Sequence, residues 1–174
     1  NSLQKYFYGN NFGDFNFNEV RESIYKLGNE LNIPIETYNV KSIDYGVNLS
    51  IDANKVYPYW NGFKTKDFVP LIAKGKNYGK KIFMNEYSIK GYNKTLEVKL
   101  HDGIDIRKDV FRFEVGVKQM RHLTSRSNPI KISKVGDLLN ENVLVKLSND
   151  LIDKYNYITN ETFIDYNSIS SIED

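Results

Sequence analysis

Three short stretches concentrate the side chains able to do chemistry. They are Ser42-Ile43-Asp44-Tyr45-Gly46-Val47-Asn48, Tyr87-Ser88-Ile89-Lys90-Gly91-Tyr92-Asn93-Lys94-Thr95-Leu96-Glu97 and Phe111-Arg112-Phe113-Glu114-Val115-Gly116-Val117-Lys118. Between them they hold three carboxylates, three phenols and several cations. What the chain lacks narrows the chemistry. It has no cysteine, so thiolate nucleophiles, thiolate metal sites and disulfides are excluded. Its two histidines, His101 and His122, form no HxH or HExxH pattern, and there is no GxSxG elbow. A metal site would therefore be built from carboxylates, which suits Mg²⁺ or Mn²⁺ and leaves zinc little to bind. A phenol with a pKa of roughly 10 is a poor nucleophile at neutral pH and needs a base or a phenolate-stabilising cation beside it.

Such groups act together only if their segments are neighbours. Residues 40–51 alternate, with Ile43, Tyr45, Val47, Leu49 and Ile51 on one side and Ser42, Asp44, Gly46, Asn48 and Ser50 on the other, which predicts a strand with a polar face. Residues 79–84 and 87–93 read as a hairpin around Asn85-Glu86. Residues 110–120 read as a further strand, with Phe111, Phe113, Val115 and Val117 inward and Arg112, Glu114 and Lys118 opposite. Residues 3–8 suggest a first strand. A helix should follow, with Val20, Ile24, Leu27 and Leu31 as its core stripe, ending at Ile33-Pro34. The stretch 52–76 shows no clean period and reads as loops with a short helix. Residues 137–155 read as a helix with Leu138, Val143, Val145, Leu147 and Leu151 as apolar candidates, and 157–166 as a closing strand. The expected fold is α+β, a mainly antiparallel sheet with helices on one face and the other face left for a ligand. Length fits a single domain over residues 1–174, and the missing initial Met is what a cut fragment would show.

Charge is unevenly spread along the chain. Residues 1–60 carry five basic and seven acidic side chains, whereas 61–100 carry nine lysines against Asp67, Glu86 and Glu97. Residues 115–136 hold five basic side chains and no carboxylate, and the sign then reverses, with eight acids against Lys146 and Lys154. A basic middle interleaved with Tyr78, Phe83, Tyr87 and Tyr92 is what a groove that tracks phosphates and stacks bases requires. The alternative is an ordinary solvated surface in a chain rich in Asn, Ile, Tyr and Lys. No apolar run approaches the roughly 18 residues that span a bilayer, so a cytoplasmic protein with no membrane partner is expected.

In order and spacing the three stretches resemble the replication initiation factors of rolling-circle plasmids and their relatives, the filamentous-phage gene II proteins. In that family an R-x-D-x-x-x-D strand precedes a Y-D-K-x-x-E segment and an R-F-E-hydrophobic-x-hydrophobic-K strand. The resemblance extends over residues 3–165 in layout. It implies a nickase that cuts one strand of single-stranded or supercoiled origin DNA, is joined to the 5′ phosphate through a tyrosine, and leaves a 3′ hydroxyl as primer. Matched residue by residue, Tyr92 would be the nucleophile, with Lys94 and Arg112 stabilising phosphate charge. Asp44, Asn48, Glu97 and Glu114 would hold Mg²⁺ or Mn²⁺. Lys90, Lys118, Arg121, Arg126, Lys131 and Lys134 would contact DNA. Such initiators also admit a helicase partner, though no residue argues for one. Ser42, Asn48, Gly91 and Asn93 depart from the family pattern, which has Arg, Asp, a large apolar residue and Asp there.

Each residue also has a plainer role open to it. Tyr92 could pack a strand with its hydroxyl in water, and Asp44 could bond backbone or a lysine. Glu114 could pair with Arg112 or Lys118, and Glu97 with Lys94 or Lys99. His122 would lie on the surface and His101 in a turn. Two other classes of function stay open: an inactive DNA-binding module, and an aromatic-rich binding domain with Trp60 and exposed tyrosines as a stacking platform.

Overall fold

The structure, a computed structural model, describes residues 17–60, 62–106, 108–125 and 129–159. The expected first strand at 3–8 lies outside these residues, as does all but the start of the expected closing strand at 157–166.

Five antiparallel strands form one sheet: β1 (Ile43–Leu49), β2 (Val69–Ala73), β3 (Lys76–Phe83), β4 (Tyr87–Asn93) and β5 (Phe111–Val117), in the order β1-β5-β4-β3-β2. This is the α+β, antiparallel architecture expected. The two most completely buried strands, β4 and β5, lie side by side within the sheet. Ile89, Phe111, Phe113, Val115 and Val117 point to one face and are almost completely buried, each contributing about 1.5–3 kcal/mol of burial.

Five α-helices complete the described chain: α1 (Phe17–Leu31), α2 (Ala53–Val56), α3 (Lys94–Asp102), α4 (Arg121–Thr124) and α5 (Glu141–Thr159). Helix α5 covers the apolar face of the sheet. Val143, Leu147, Asp150, Leu151, Lys154 and Ile158 form its buried stripe, the spacing of one helical face. Val145, off that stripe, is exposed. Asp150 and Lys154 are tolerated there because they bond each other and the Tyr45 hydroxyl donates to Asp150.

The expected helix over 137–155 divides in two. Val135–Leu139 is a 3₁₀ turn, and Asn140 accepts from the N–H of Asn142 at 3.0 Å to start α5. The helix then runs through residues 157–159, where a strand was expected, with Ile158 in the core.

Helix α1 lies at the margin. It packs against the 3₁₀ turns Ile35–Thr37 and Val135–Leu139, and of the expected stripe only Ile24 is fully buried, while Leu31 is half exposed. It ends where expected, Asn32 taking a positive φ of 51° before Ile33-Pro34.

Residues 52–76, which show no period, contain α2, a 3₁₀ turn at Tyr57–Tyr59 and the edge strand β2. Trp60 is buried in the core at edge-on angles to Phe111 and Phe113, which corrects the picture of Trp60 as an exposed stacking platform. Among the described residues no helix is long and apolar enough to cross a membrane.

Candidate active site

Strand register sets the site. On the face opposite the core, three rows of side chains cross the sheet. Asn48, Arg112, Tyr92, Gly79 and Leu71 form one row, Gly46, Glu114, Lys90, Lys81 and Val69 the next, and Asp44, Gly116, Ser88 and Phe83 the third. The polar halves of the three stretches therefore do share one surface, as the period-two pattern predicts.

Glu114 is its centre. Lys90 Nζ bonds Oε1, Arg112 Nε donates to Oε2 at 2.8 Å, and the Tyr92 hydroxyl donates to the same Oε2 at 3.3 Å. Burial pushes the Glu114 carboxyl up, but the charges and hydrogen bonds of Lys90 and Arg112 outweigh it and hold the group below its ordinary range. The guanidinium of Arg112 also donates to Asn48 Oδ1 at 3.1 Å. An Asp at position 48 would meet that same cation; Asn meets it as a neutral acceptor.

Tyr92 ends β4 at a strand-to-helix junction. Asn93 is the N-cap of α3, its Oδ1 accepting from the Leu96 N–H at 2.8 Å. Asn caps a helix about as well as Asp, so this departure from the family pattern keeps the local fold. Lys94, nearly sealed from solvent, bonds Glu97 Oε2 at 2.8 Å and holds its ammonium 5.9 Å from the Tyr92 ring centroid. Glu97 thus takes the plainer pairing with Lys94, yet it also lines the cleft beside Tyr92.

That cleft, of about 190 Å³, is walled by Leu71, Tyr78, Lys81, Lys90, Tyr92 and Glu97. A bulge aims Tyr78 into it. Leu71 pairs with Gly79 and Ile72 with Asn77, leaving Tyr78 as the extra residue on β3. The Tyr78 ring then meets Tyr92 edge-on at 6.1 Å and His101 at 5.9 Å. Burial and the Glu97 charge raise its phenol pKa, with Lys90 opposing.

Two glycines allow close approach. At Gly91 a Cβ would lie 2.0 Å from Trp60 Cη2, so the indole takes the space that a large apolar residue before the tyrosine would fill. At Gly116 a Cβ would lie 2.6 Å from Asp44 Oδ1 and 3.3 Å from Ser88 Oγ, so the exposed Asp44 carboxylate leans across β5.

The four oxygen donors named for a divalent ion do not converge on an open cation site as they stand. Glu114 is engaged by Lys90 and Arg112, Asn48 by Arg112 and Glu97 by Lys94. Among the described residues no group of three or more His, Asp or Glu side chains could hold a metal. A cation at Glu114 would have to displace Lys90 or Arg112.

The residues named for DNA contact are dispersed. Lys90 lines the cleft, and Lys118 lies just past β5. Arg121 is paired with Glu86. Lys131 belongs to a different hollow at the start of α5, and Lys134 Nζ donates to the Thr37 carbonyl at 2.8 Å. Arg126 lies outside the described residues. His122 is stacked on Tyr87 at 3.9 Å rather than standing free on a basic loop, and His101 sits in the last turn of α3.

Compared with protein-family models, curated proteins and solved structures, the chain finds no match.

Sequence reasoning missed Lys81 and Tyr57, and had Tyr78 only as one of the aromatics interleaved with the basic middle. Burial and the positive charges of Lys90 and Lys118 lower the pKa of Lys81, against the opposing pull of Asp44 and Glu114. Only the lysine density of β3 hinted at it. The Tyr57 hydroxyl donates to the Tyr78 carbonyl at 3.0 Å and accepts from the Asn93 N–H at 3.1 Å, tying together the strand ends that present Tyr78 and Tyr92. No signal in the 52–76 stretch marked it.

Proposed function

We propose that this chain is a DNA-nicking domain of a rolling-circle type of replication initiator, in which Tyr92 attacks a phosphodiester of single-stranded or supercoiled origin DNA. The observation that carries the reading is the Tyr92 hydroxyl set against the Glu114 carboxylate, beside a cleft lined by Lys81 and Lys90 and with the Lys94 ammonium near the Tyr92 ring. The cleft, of about 190 Å³, is open to solvent, so a phosphodiester can reach Lys81 and Lys90 from outside.

In the proposed step the phenolic oxygen of Tyr92 forms a bond to phosphorus and the bond from phosphorus to the 3′ oxygen breaks. The 3′ oxygen takes a proton from water as it leaves, becoming a hydroxyl, and the 5′ phosphate stays on the tyrosine. Glu114, ionised and doubly paired, is a weak base, so its part is to orient the hydroxyl. The phenolic proton goes to water as Lys94 and Arg112 stabilise the anionic oxygens. No step is assigned to a divalent ion, because the donor set would first have to release Lys90 or Arg112.

The test is incubation with labelled single-stranded and supercoiled DNA, with Mg²⁺, with Mn²⁺ and with a chelator, followed by a denaturing gel. A covalent adduct that disappears in Tyr92→Phe supports the reading; an adduct that persists in that variant overturns the assignment of Tyr92. The saturation of Glu114 by two cations favours one second reading, an inactive DNA-binding module. That module would bind DNA and give no adduct under any of the three conditions.

A further inference from the structure

We propose that Phe83, with Lys81 and Lys118, forms a stacking subsite for one base of a single-stranded DNA whose backbone runs along β3 towards Tyr92. The inference rests on the reading above in taking single-stranded DNA as the ligand.

Phe83 is the last residue of β3 and is 48% exposed, while its neighbour Ile82 is buried in the core. Alternation and its pairing with Ser88 put the Phe83 ring on the polar face with Lys81 and Lys90. Among the described residues no other aromatic ring packs on it. Cations gather around it instead. Lys81 Nζ stands 4.4 Å from the ring centroid and Lys118 Nζ 5.6 Å, while Lys66 Nζ donates to the Phe83 carbonyl at 3.0 Å.

A half-exposed ring among three ammonium groups suits a ligand with a flat apolar face and flanking negative charge. A nucleotide of a single strand has both, and aromatic stacking within a basic groove is how such strands are held without regard to sequence. The lysines crowd one another, burial and the charges of Lys90 and Lys118 already depressing the pKa of Lys81. A phosphate between them relieves that repulsion. The carboxylates facing this group are Asp44 and Glu114, and Glu114 is neutralised by Lys90 and Arg112.

Lys81 is also part of the cleft wall, so the subsite and the cleft are continuous. Gly79, opposite Tyr92, is four residues from Phe83 along β3, or about 13 Å. The stacked base therefore belongs to a nucleotide near the phosphate at Tyr92, not to the one that is cut.

The experiment is fluorescence anisotropy with a labelled oligothymidylate and with an abasic strand of equal length, on the parent chain and on Phe83→Ala, Phe83→Leu and Phe83→Trp. Phe83→Ala and Phe83→Leu should weaken binding of the oligothymidylate roughly 5- to 160-fold, the range for one stacked base. Phe83→Trp should keep it, and the abasic strand should not distinguish the variants. Circular dichroism melts confirm that each variant is folded. Parent-like binding of the oligothymidylate by folded Phe83→Ala overturns the proposal, as does failure of the parent to bind it at low salt. The two readings fail separately. Base-dependent loss at Phe83 with no adduct on any DNA would remove the nicking reading and leave the subsite. An adduct with parent-like binding by Phe83→Ala would do the reverse.

Discussion

The Tyr92 hydroxyl and the Arg112 guanidinium share one oxygen of Glu114, the first from 3.3 Å and the second from 2.8 Å. The carboxylate is 5% exposed as a residue and holds Lys90 on its other oxygen. Glu114→Gln would keep the shape and remove the charge. Breaking a buried pair in this way should cost on the order of 3 kcal/mol, because two cations lose their counter-charge. Urea unfolding measures it, and a loss under about 1 kcal/mol would place the pair in the surface-like, screened regime.

The same carboxylate sets an acid limb. Its ordinary value is 4.5 and its folded value is lower, since Lys90 and Arg112 outweigh burial. The sign follows from linkage: above about pH 4.5 the group is ionised in both states and its full contribution is present, and the contribution fades as the pH falls through the lower folded value. Stability measured from pH 6 downward should therefore fall below about pH 4.5, and less steeply in Glu114→Gln. The flattening is partial, because Asp137, lowered by the N–H groups of Lys134 and Ser133, acts on the same limb. A variant whose acid limb superposes on the parent's would exclude Glu114 as its source.

Gly91 and Trp60 should behave as one unit. Gly91→Ala puts a methyl group 2.0 Å from the indole in a central strand that cannot shift, so a loss at or above the usual 1–3 kcal/mol of overpacking is expected. Trp60→Leu removes the obstacle at the cost of a cavity. The double variant should then be at least about 1 kcal/mol more stable than the sum of the single losses predicts, and strict additivity would show that the two groups do not meet.

What could be read from the sequence was what period two controls. The alternation in β1 and β5 predicts both the core side and the polar side, and with β5 paired to β1 on one side and β4 on the other the row holding Asn48, Arg112 and Tyr92 follows from register. Helix α3 was invisible for the same reason. Leu96, Val98 and Leu100 alternate like a strand, and the helix is decided by the Asn93 cap, the Lys94 to Glu97 pair and Gly103 at a φ of 72°. Strand β2 was hidden by Pro70, which an edge position tolerates. The bulge that turns Tyr78 into the cleft depends on how β2 pairs, so no local pattern carried it. The plainer pairings of Glu114 with Arg112 and of Glu97 with Lys94 were open from the sequence, but the second cation on Glu114, Lys90, reaches it across the strands only after the sheet has formed.

Tyr57 tests how far the cleft depends on a residue outside it. Burial pushes its phenol up to about 12, the Asn93 N–H opposing and the Asp52 charge adding. Tyr57→Phe leaves the Tyr78 carbonyl and the Asn93 N–H without this partner, a loss of about 1–3 kcal/mol. Because Asn93 caps α3 directly after Tyr92, the variant should also displace the hydroxyl that faces Glu114. On the nicking reading proposed above, adduct formation should then slow at saturating DNA while DNA affinity stays near the parent's, the split expected of a positioning residue rather than a DNA contact. Ultraviolet difference titration against the parent should show the missing phenol ionising near pH 12. A missing signal near pH 10, with no change in the urea midpoint, would mean that the Tyr57 hydroxyl faces water and ties nothing together.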